Sequence, residues 1–308
     1  IEYYPEKFKL ILNNKINLKK IESLLIHYTI KNQEKIDIFE FLIKKGINIH
    51  SKDNNGNSSL HIAANYNNYK VIGYLVNRKA KLDLENMNGK RPVDLVSESD
   101  KIRWYAATGN IEKLKEELAK GINIDIKDRA GRSLLHIAVI ANQKKSVDFL
   151  LKNGAFLNIE DQNKETVLFS ALRYKNFKMA SYLIQKGLKL EHLNKDKKSM
   201  LCVFAKKGSL EQIKFLVKQK VNINRYCKNN ITALYYALEG ENIEIVKYLI
   251  EKGAPLDLKI YYGKTALHLF PKYFHKDKFE NFNKIKDLVT QKIKQNPKFI
   301  NYIKNSYA

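Results

Sequence analysis

The sequence predicts an all-α repeat solenoid, built from helix-turn-helix units joined by hairpin-like loops. Two observations carry this. First, Leu135, Leu168, Leu201, Leu234 and Leu267 stand 33 residues apart, and the same step backward from Leu135 lands on Ile102. The anchors sit in similar phrases: SLLHIA, TVLFSA, SMLCVF, TALYYA and TALHLF. Second, a mark 19 residues after each anchor falls on Gly121, Gly154, Gly187, Lys220 and Gly253, just past an apolar helical run. A fixed period of this size is the signature of stacked repeats, and about eight to nine units, degenerate at both ends, fit the chain. Each unit in such a stack packs mainly on its neighbours.

The phrases resemble the ankyrin repeat. The runs that carry the resemblance are DNNGNSSLHIAA from Asp53, DRAGRSLLHIA from Asp128 and GKTALHL from Gly263, with closing runs GINIH from Gly46, GINID from Gly121 and GAPLD from Gly253. The resemblance covers nearly the whole chain. It implies a fold and a mode of work, protein binding, and it does not imply a partner.

In chain order, residues 1–20 look like the remains of a leading repeat, and 21–49 like a degenerate unit. Asp53 to Leu84 is a good repeat, with Leu60, Ile62, Ala63 and Ala64 on its inner helix and Lys79 where a glycine is expected. Lysine at that left-handed site should cost about 1 kcal/mol. The register then breaks. Gly89 to Leu95 starts a repeat anchored on Val93, yet the next anchor, Ile102, comes only nine residues later. Ser97-Glu98-Ser99-Asp100 could cap the helix that follows. One solenoid with an irregular turn and two arrays meeting at a hinge both fit; a continuous stack is favoured, because nearest-neighbour coupling penalises an open seam. Trp104 reads as packing at this seam.

The organisation is therefore 1–100 as N-terminal repeats, 101–270 as C-terminal repeats continuous with them across an irregular seam at 86–104, and 271–308 as a helical cap with a basic tail. Among the strictly spaced repeats the hairpin glycine is present at Gly131 but is Lys164, Lys197 and Asn230 in the next three. Lysine tolerates the left-handed region poorly, so the middle hairpins should be looser or shaped differently.

The chain of 308 residues carries a net charge of +24. That invites a nucleic-acid reading. Only seven of its 56 basic residues are arginine, the better reader of phosphates and bases. Abundant asparagine, isoleucine and tyrosine suggest an AT-biased genome inflating lysine. Acids at Glu85, Asp128, Glu160 and Asp161 interrupt a phosphate-tracking surface, so nucleic acid ranks as the alternative partner. Two cysteines do not make a disulfide framework. Cys202 replaces the motif histidine, Cys227 opens a hairpin, and their use fits a reducing, cytoplasmic compartment. No apolar run is long enough to span a membrane. No signal peptide is evident, and the opening at Ile1 without a methionine suggests a fragment or a processed chain.

No catalytic constellation stands out, and an enzyme is not expected. His61, His136 and His268 occupy the motif position, where the resemblance implies local hydrogen bonding that holds hairpin to helix. No phosphate-loop or metalloprotease motif occurs, and neither a cofactor nor a metal is expected. What the resemblance implies is binding through hairpin tips and the exposed face of the first helices, which line a concave side. The register assigns to that side Tyr66, Arg129, Arg132, Arg173, Tyr174, Lys206, Lys207, Tyr226, Lys228, Tyr261 and Tyr262, with Leu193 and Lys195 at equivalent positions. Arginine and tyrosine are enriched at binding hot spots. The expectation is a monomeric interaction module gripping a partner protein with an acidic surface. The residue bias resembles ankyrin-containing effectors or toxins of intracellular and endosymbiotic bacteria, which act in a host cell. A substrate-recruiting arm of a larger enzyme or toxin is the further alternative.

Overall fold

A computed structural model describes residues 48–255, and residues 43 and 291 besides. Within them run twelve α-helices of seven to nine residues: α1 (Ser59–Asn65), α2 (Tyr69–Val76), α3 (Lys101–Thr108), α4 (Ile111–Ala119), α5 (Leu134–Ile140), α6 (Lys144–Lys152), α7 (Val167–Arg173), α8 (Phe177–Gln185), α9 (Met200–Lys207), α10 (Leu210–Lys218), α11 (Ala233–Glu239) and α12 (Ile243–Glu251). Among the described residues, β structure is confined to four isolated antiparallel bridges, Lys52–Ser58, Lys127–Ser133, Glu160–Thr166 and Leu193–Ser199, each at the base of a hairpin. This is the all-α repeat solenoid class. Two compact units part between Phe156 and Leu157; α1 to α6 lie in the first, α7 to α12 in the second. The leading unit, the last repeat with Tyr261, Tyr262 and His268, and the 271–308 cap lie outside the described residues.

Helices this short are marginal alone and depend on caps and packing. Serine or threonine begins most first helices: Ser133, Ser199 and Thr232 accept a hydrogen bond from the backbone N–H three residues on. Asparagine begins several second helices. Asn68, Asn110 and Asn176 accept from Val71, Lys113 and Met179. First helices are buried almost all round, as in α5, where Leu134 through Ile140 are all buried. Second helices bury one stripe, such as Val147 and Leu150 on α6 or Ile245, Val246, Leu249 and Ile250 on α12.

The seam lies inside the first unit. The repeat anchored on Val93 is cut down to a 3₁₀ turn, Pro92–Leu95, which packs on α1; a second turn, Glu98–Asp100, leads into α3. Helix α2 packs against both α3 and α5. At Gly73 it comes so close that a Cβ there would collide with the Ala141 carbonyl. Asn77 extends the join, donating to the Ala141 carbonyl (3.5 Å) and accepting from the Gln143 amide (3.4 Å). Asp100 does not cap α3 through its side chain. It accepts instead from Arg103 Nη1 (2.8 Å), Ser97 Oγ (2.9 Å) and Asn67 Nδ2 (3.3 Å). Arg103 is buried and also donates to the carbonyls of Ser99 and Lys127. Trp104 is buried beside it. Burial, with Asp100 nearby, pushes the Tyr69 phenol far above its ordinary pKa, so it stays neutral.

Two expectations are corrected. The hairpins with Lys164 and Lys197 keep the form of the one with Gly131: all three residues are left-handed (φ 54°, 56° and 74°) and each donates its N–H to the first residue of its hairpin. The reason is that the turn is held from that first position, by an aspartate or asparagine side chain, and so outweighs the preference of the fourth residue. The cysteines are also not separate thiols. Cys202 and Cys227 form a disulfide between α9 and the next hairpin.

Candidate protein-interaction surface

Among the described residues, six hairpins begin 33 residues apart, save for the seam, at Asp53, Asn86, Asp128, Asp161, Asn194 and Cys227. In the first five, one side-chain oxygen accepts the N–H groups two and four residues on, at 2.8–3.1 Å. This is an Asx-type turn, in which a short polar side chain replaces backbone partners. Neighbouring tips are then tied edge to edge. In the first unit Met87 N–H donates to the Asn55 carbonyl (3.0 Å); in the second, Lys195 N–H donates to Asn163 (2.7 Å) and Lys228 N–H to Lys197 (3.0 Å). The motif histidine joins helix to hairpin. His61 Nδ1 accepts from Ser58 N–H (3.1 Å), which leaves Nε2–H to donate to the Lys90 carbonyl (2.9 Å). His136 Nδ1 likewise accepts from Ser133 N–H (3.3 Å).

A geometry of stacked hairpins and antiparallel helix pairs defines a family, and the family model for ankyrin repeats in three copies matches residues 2–86, 102–196 and 199–270. The chain belongs to the ankyrin-repeat family. The gap at 87–101 between matched ankyrin segments coincides with the truncated repeat. The chain is 28% identical over 134 residues to an ankyrin repeat protein of Acanthamoeba polyphaga mimivirus, covering 40% of this chain and 18% of that protein. It is 34% identical over 114 residues to the potassium channel AKT2/3 of Arabidopsis thaliana, covering 37% and 13%. It is 32% identical over 132 residues to the nuclear factor NF-kappa-B p105 subunit of Gallus gallus, covering 41% and 12%. The chain thus matches less than a fifth of the length of each of these relatives. Ankyrin repeats generally mediate protein–protein interaction.

The sequence-predicted contact residues of these ankyrin repeats separate by environment. In the first unit, Arg129 is exposed at a hairpin tip, Tyr66 is half-buried as the C-cap of α1, and Arg132 pairs with Asp128 (2.8 Å) while lying 5.5 Å from the Tyr69 ring centre. In the second unit, Arg173 pairs with Glu165, whose carboxylate is largely buried, and Lys206 pairs with Glu239 (2.9 Å). Tyr174 is the half-buried C-cap of α7, and Lys207 is exposed at the end of α9. Three of the five arginine and lysine residues assigned at helix ends and the 128–132 turn are therefore committed to carboxylates of their own chain.

Tyr226 and Lys228 come together. With Leu193, Lys195, Lys197 and Cys227 they line a groove of about 540 Å³ between the tips of two successive hairpins in the second unit. Tyr226 is 46% exposed. The groove lining holds three lysines, Lys195, Lys197 and Lys228, and one carboxylate, Asp196. Lys197 was not among the predicted contact residues, because its position in the register reads as a turn position rather than a recognition position. Among the described residues no group of three histidine, cysteine or acidic side chains is placed to hold a metal ion, and no helix is long and apolar enough to cross a membrane.

Proposed function

We propose that this chain is a non-enzymatic, monomeric interaction module that grips an acidic segment of a partner protein on its concave, hairpin-bearing face. The observation that carries the reading is the groove of Lys195, Lys197, Lys228 and half-exposed Tyr226. Its lysines outnumber its acids, and its one aromatic ring combines apolar area with a polar edge, the profile of a binding anchor. Within the second unit, exposed Lys207 at the end of α9 adds to the basic character. The lysine, asparagine and isoleucine bias supports a place within a bacterial effector or toxin that manipulates a host protein.

The test is fluorescence anisotropy with a glutamate-rich, tyrosine-free peptide against the chain and a Lys195→Glu/Lys228→Glu variant. Two reversals next to the bound acid should weaken binding by about tenfold or more. Tyr226→Ala should cost a similar factor. Equal affinity for the variant would sink the reading. Tighter binding to a DNA duplex than to the peptide, with a steep salt dependence, would replace it with nucleic-acid recognition.

A further inference from the structure

We propose that the Cys202–Cys227 disulfide is a reducible clamp on the 227–231 hairpin, opened at the Cys227 sulfur by a dithiol. The hairpin differs from the five before it. Cys227 stands where they carry aspartate or asparagine, so no side-chain oxygen at that position serves the N–H groups of residues 229 and 231. Two successive residues, Asn229 and Asn230, are left-handed (φ 60° and 56°), where the other hairpins have one. The helix that should hold this hairpin carries Cys202 where α1 and α5 carry His61 and His136.

Both substitutions meet in one bond. In the repeat that begins at Asp53, Ser58 N–H is taken up by His61, and His61 then reaches the next hairpin. At α9 the corresponding Ser199 N–H donates to Cys227 Sγ (3.2 Å), and the reach to the next hairpin is covalent. One S–S bond thus replaces the histidine link and the turn-holding carboxylate or amide together. When it breaks, neither side-chain device of the ordinary repeat remains, and the hairpin keeps only backbone bonds such as Cys227 N–H to the Ile231 carbonyl (2.8 Å) and Lys228 N–H to the Lys197 carbonyl (3.0 Å).

Access favours Cys227. It is 7% exposed and lines the groove, whereas Cys202 is 1% exposed beneath it. A dithiol's thiolate attacks Cys227 Sγ and expels Cys202 as thiolate, which takes up a proton. The second thiol of the reductant then attacks the mixed disulfide and releases Cys227. Two electrons and two protons pass to the protein, giving two cysteine thiols, and the dithiol becomes a cyclic disulfide. The freed hairpin carries Lys228 and is joined to Tyr226, so the groove loses its fixed wall. That last consequence rests on the functional reading above; the loosening of the hairpin does not.

The experiment is peptide-resolved hydrogen exchange on the full chain, air-oxidised or treated with dithiothreitol, with alkylation mass counting the free thiols. The expected result is zero thiols before reduction and two after, with exchange over 226–231 at least about tenfold faster in the reduced chain and little change over 161–165. Two free thiols in the air-oxidised chain, or unchanged exchange after complete reduction, would overturn the clamp. A Cys202→His/Cys227→Asp variant restores the ordinary repeat pair and should exchange slowly with and without dithiothreitol; a reductant response in it would also overturn the proposal. Peptide anisotropy in both redox states separates the two ideas. No binding in either state defeats the functional reading alone, and equal binding in both states defeats the control of the groove by the clamp.

Discussion

Lys197 occupies a left-handed backbone position that glycine fills at Gly56, Gly89 and Gly131. A side chain there costs about 1 kcal/mol, partly offset by the entropy glycine would lose on folding. Lys197→Gly should therefore raise stability by up to about 0.5 kcal/mol in urea unfolding while weakening the acidic-peptide complex several-fold. Lys164→Gly, at the same turn position one repeat earlier, should raise stability similarly and leave the peptide affinity alone. A loss of stability in both variants would show that the lysines support the turn. Arg173 calls for the opposite care. Reversing its charge sets two carboxylates together at Glu165, so lowered binding in such a variant would report instability as well as recognition. The Arg173–Glu165 pair was not legible in the sequence because the partners stand eight residues apart, one before α7 and one at its end, and only the fold brings them together.

Among the elements, α2 is the one whose fit decides the seam. Gly73→Ala forces a methyl group into the Ala141 carbonyl, and overpacking of this kind should cost about 1–3 kcal/mol, read as a lower urea midpoint. Arg103→Met removes the buried guanidinium that joins the 97–100 turn to the Lys127 carbonyl and strands Asp100, and should cost about 3 kcal/mol. Reduction of the disulfide, which spans 25 residues, should lower stability by about 3 kcal/mol in the chain-entropy picture. The anchors and closing glycines made the helix pairs legible, since each repeats at fixed spacing. Several asparagines also carry structural roles. Asn110 and Asn176 begin second helices, and Asn86 and Asn194 hold hairpins, so part of what reads as base-composition bias is turn and cap chemistry. The disulfide escaped because each cysteine, taken alone, is a plausible small buried residue; only the paired loss of histidine and aspartate in consecutive repeats marks it.

For the whole molecule, a net charge of +24 acts on encounter more than on final affinity. Association with an acidic peptide, followed by stopped flow, should slow by about tenfold between 50 and 500 mM salt, as screening shortens the reach of exposed lysines to a few ångströms. Dissociation should change less, because it is governed by close contacts in the groove. A salt-independent association rate would place recognition on Tyr226 and apolar contacts instead. The fold class was legible across the chain because one period runs through it. The groove was legible only in part, since Tyr226, Lys195 and Lys228 follow from register while the neutralisation of Arg132, Arg173 and Lys206 depends on neighbours.

The five hairpins that begin with aspartate or asparagine are held from their first residue, through bonds to the backbone N–H groups two and four residues on. The two residues that follow are thereby released from any duty in shaping the turn. Partner choice could drift at those positions, or be rewritten in the laboratory, without a matching change elsewhere. Among the described hairpins, the cysteine-anchored one alone would demand that its recognition residues and its tether change together.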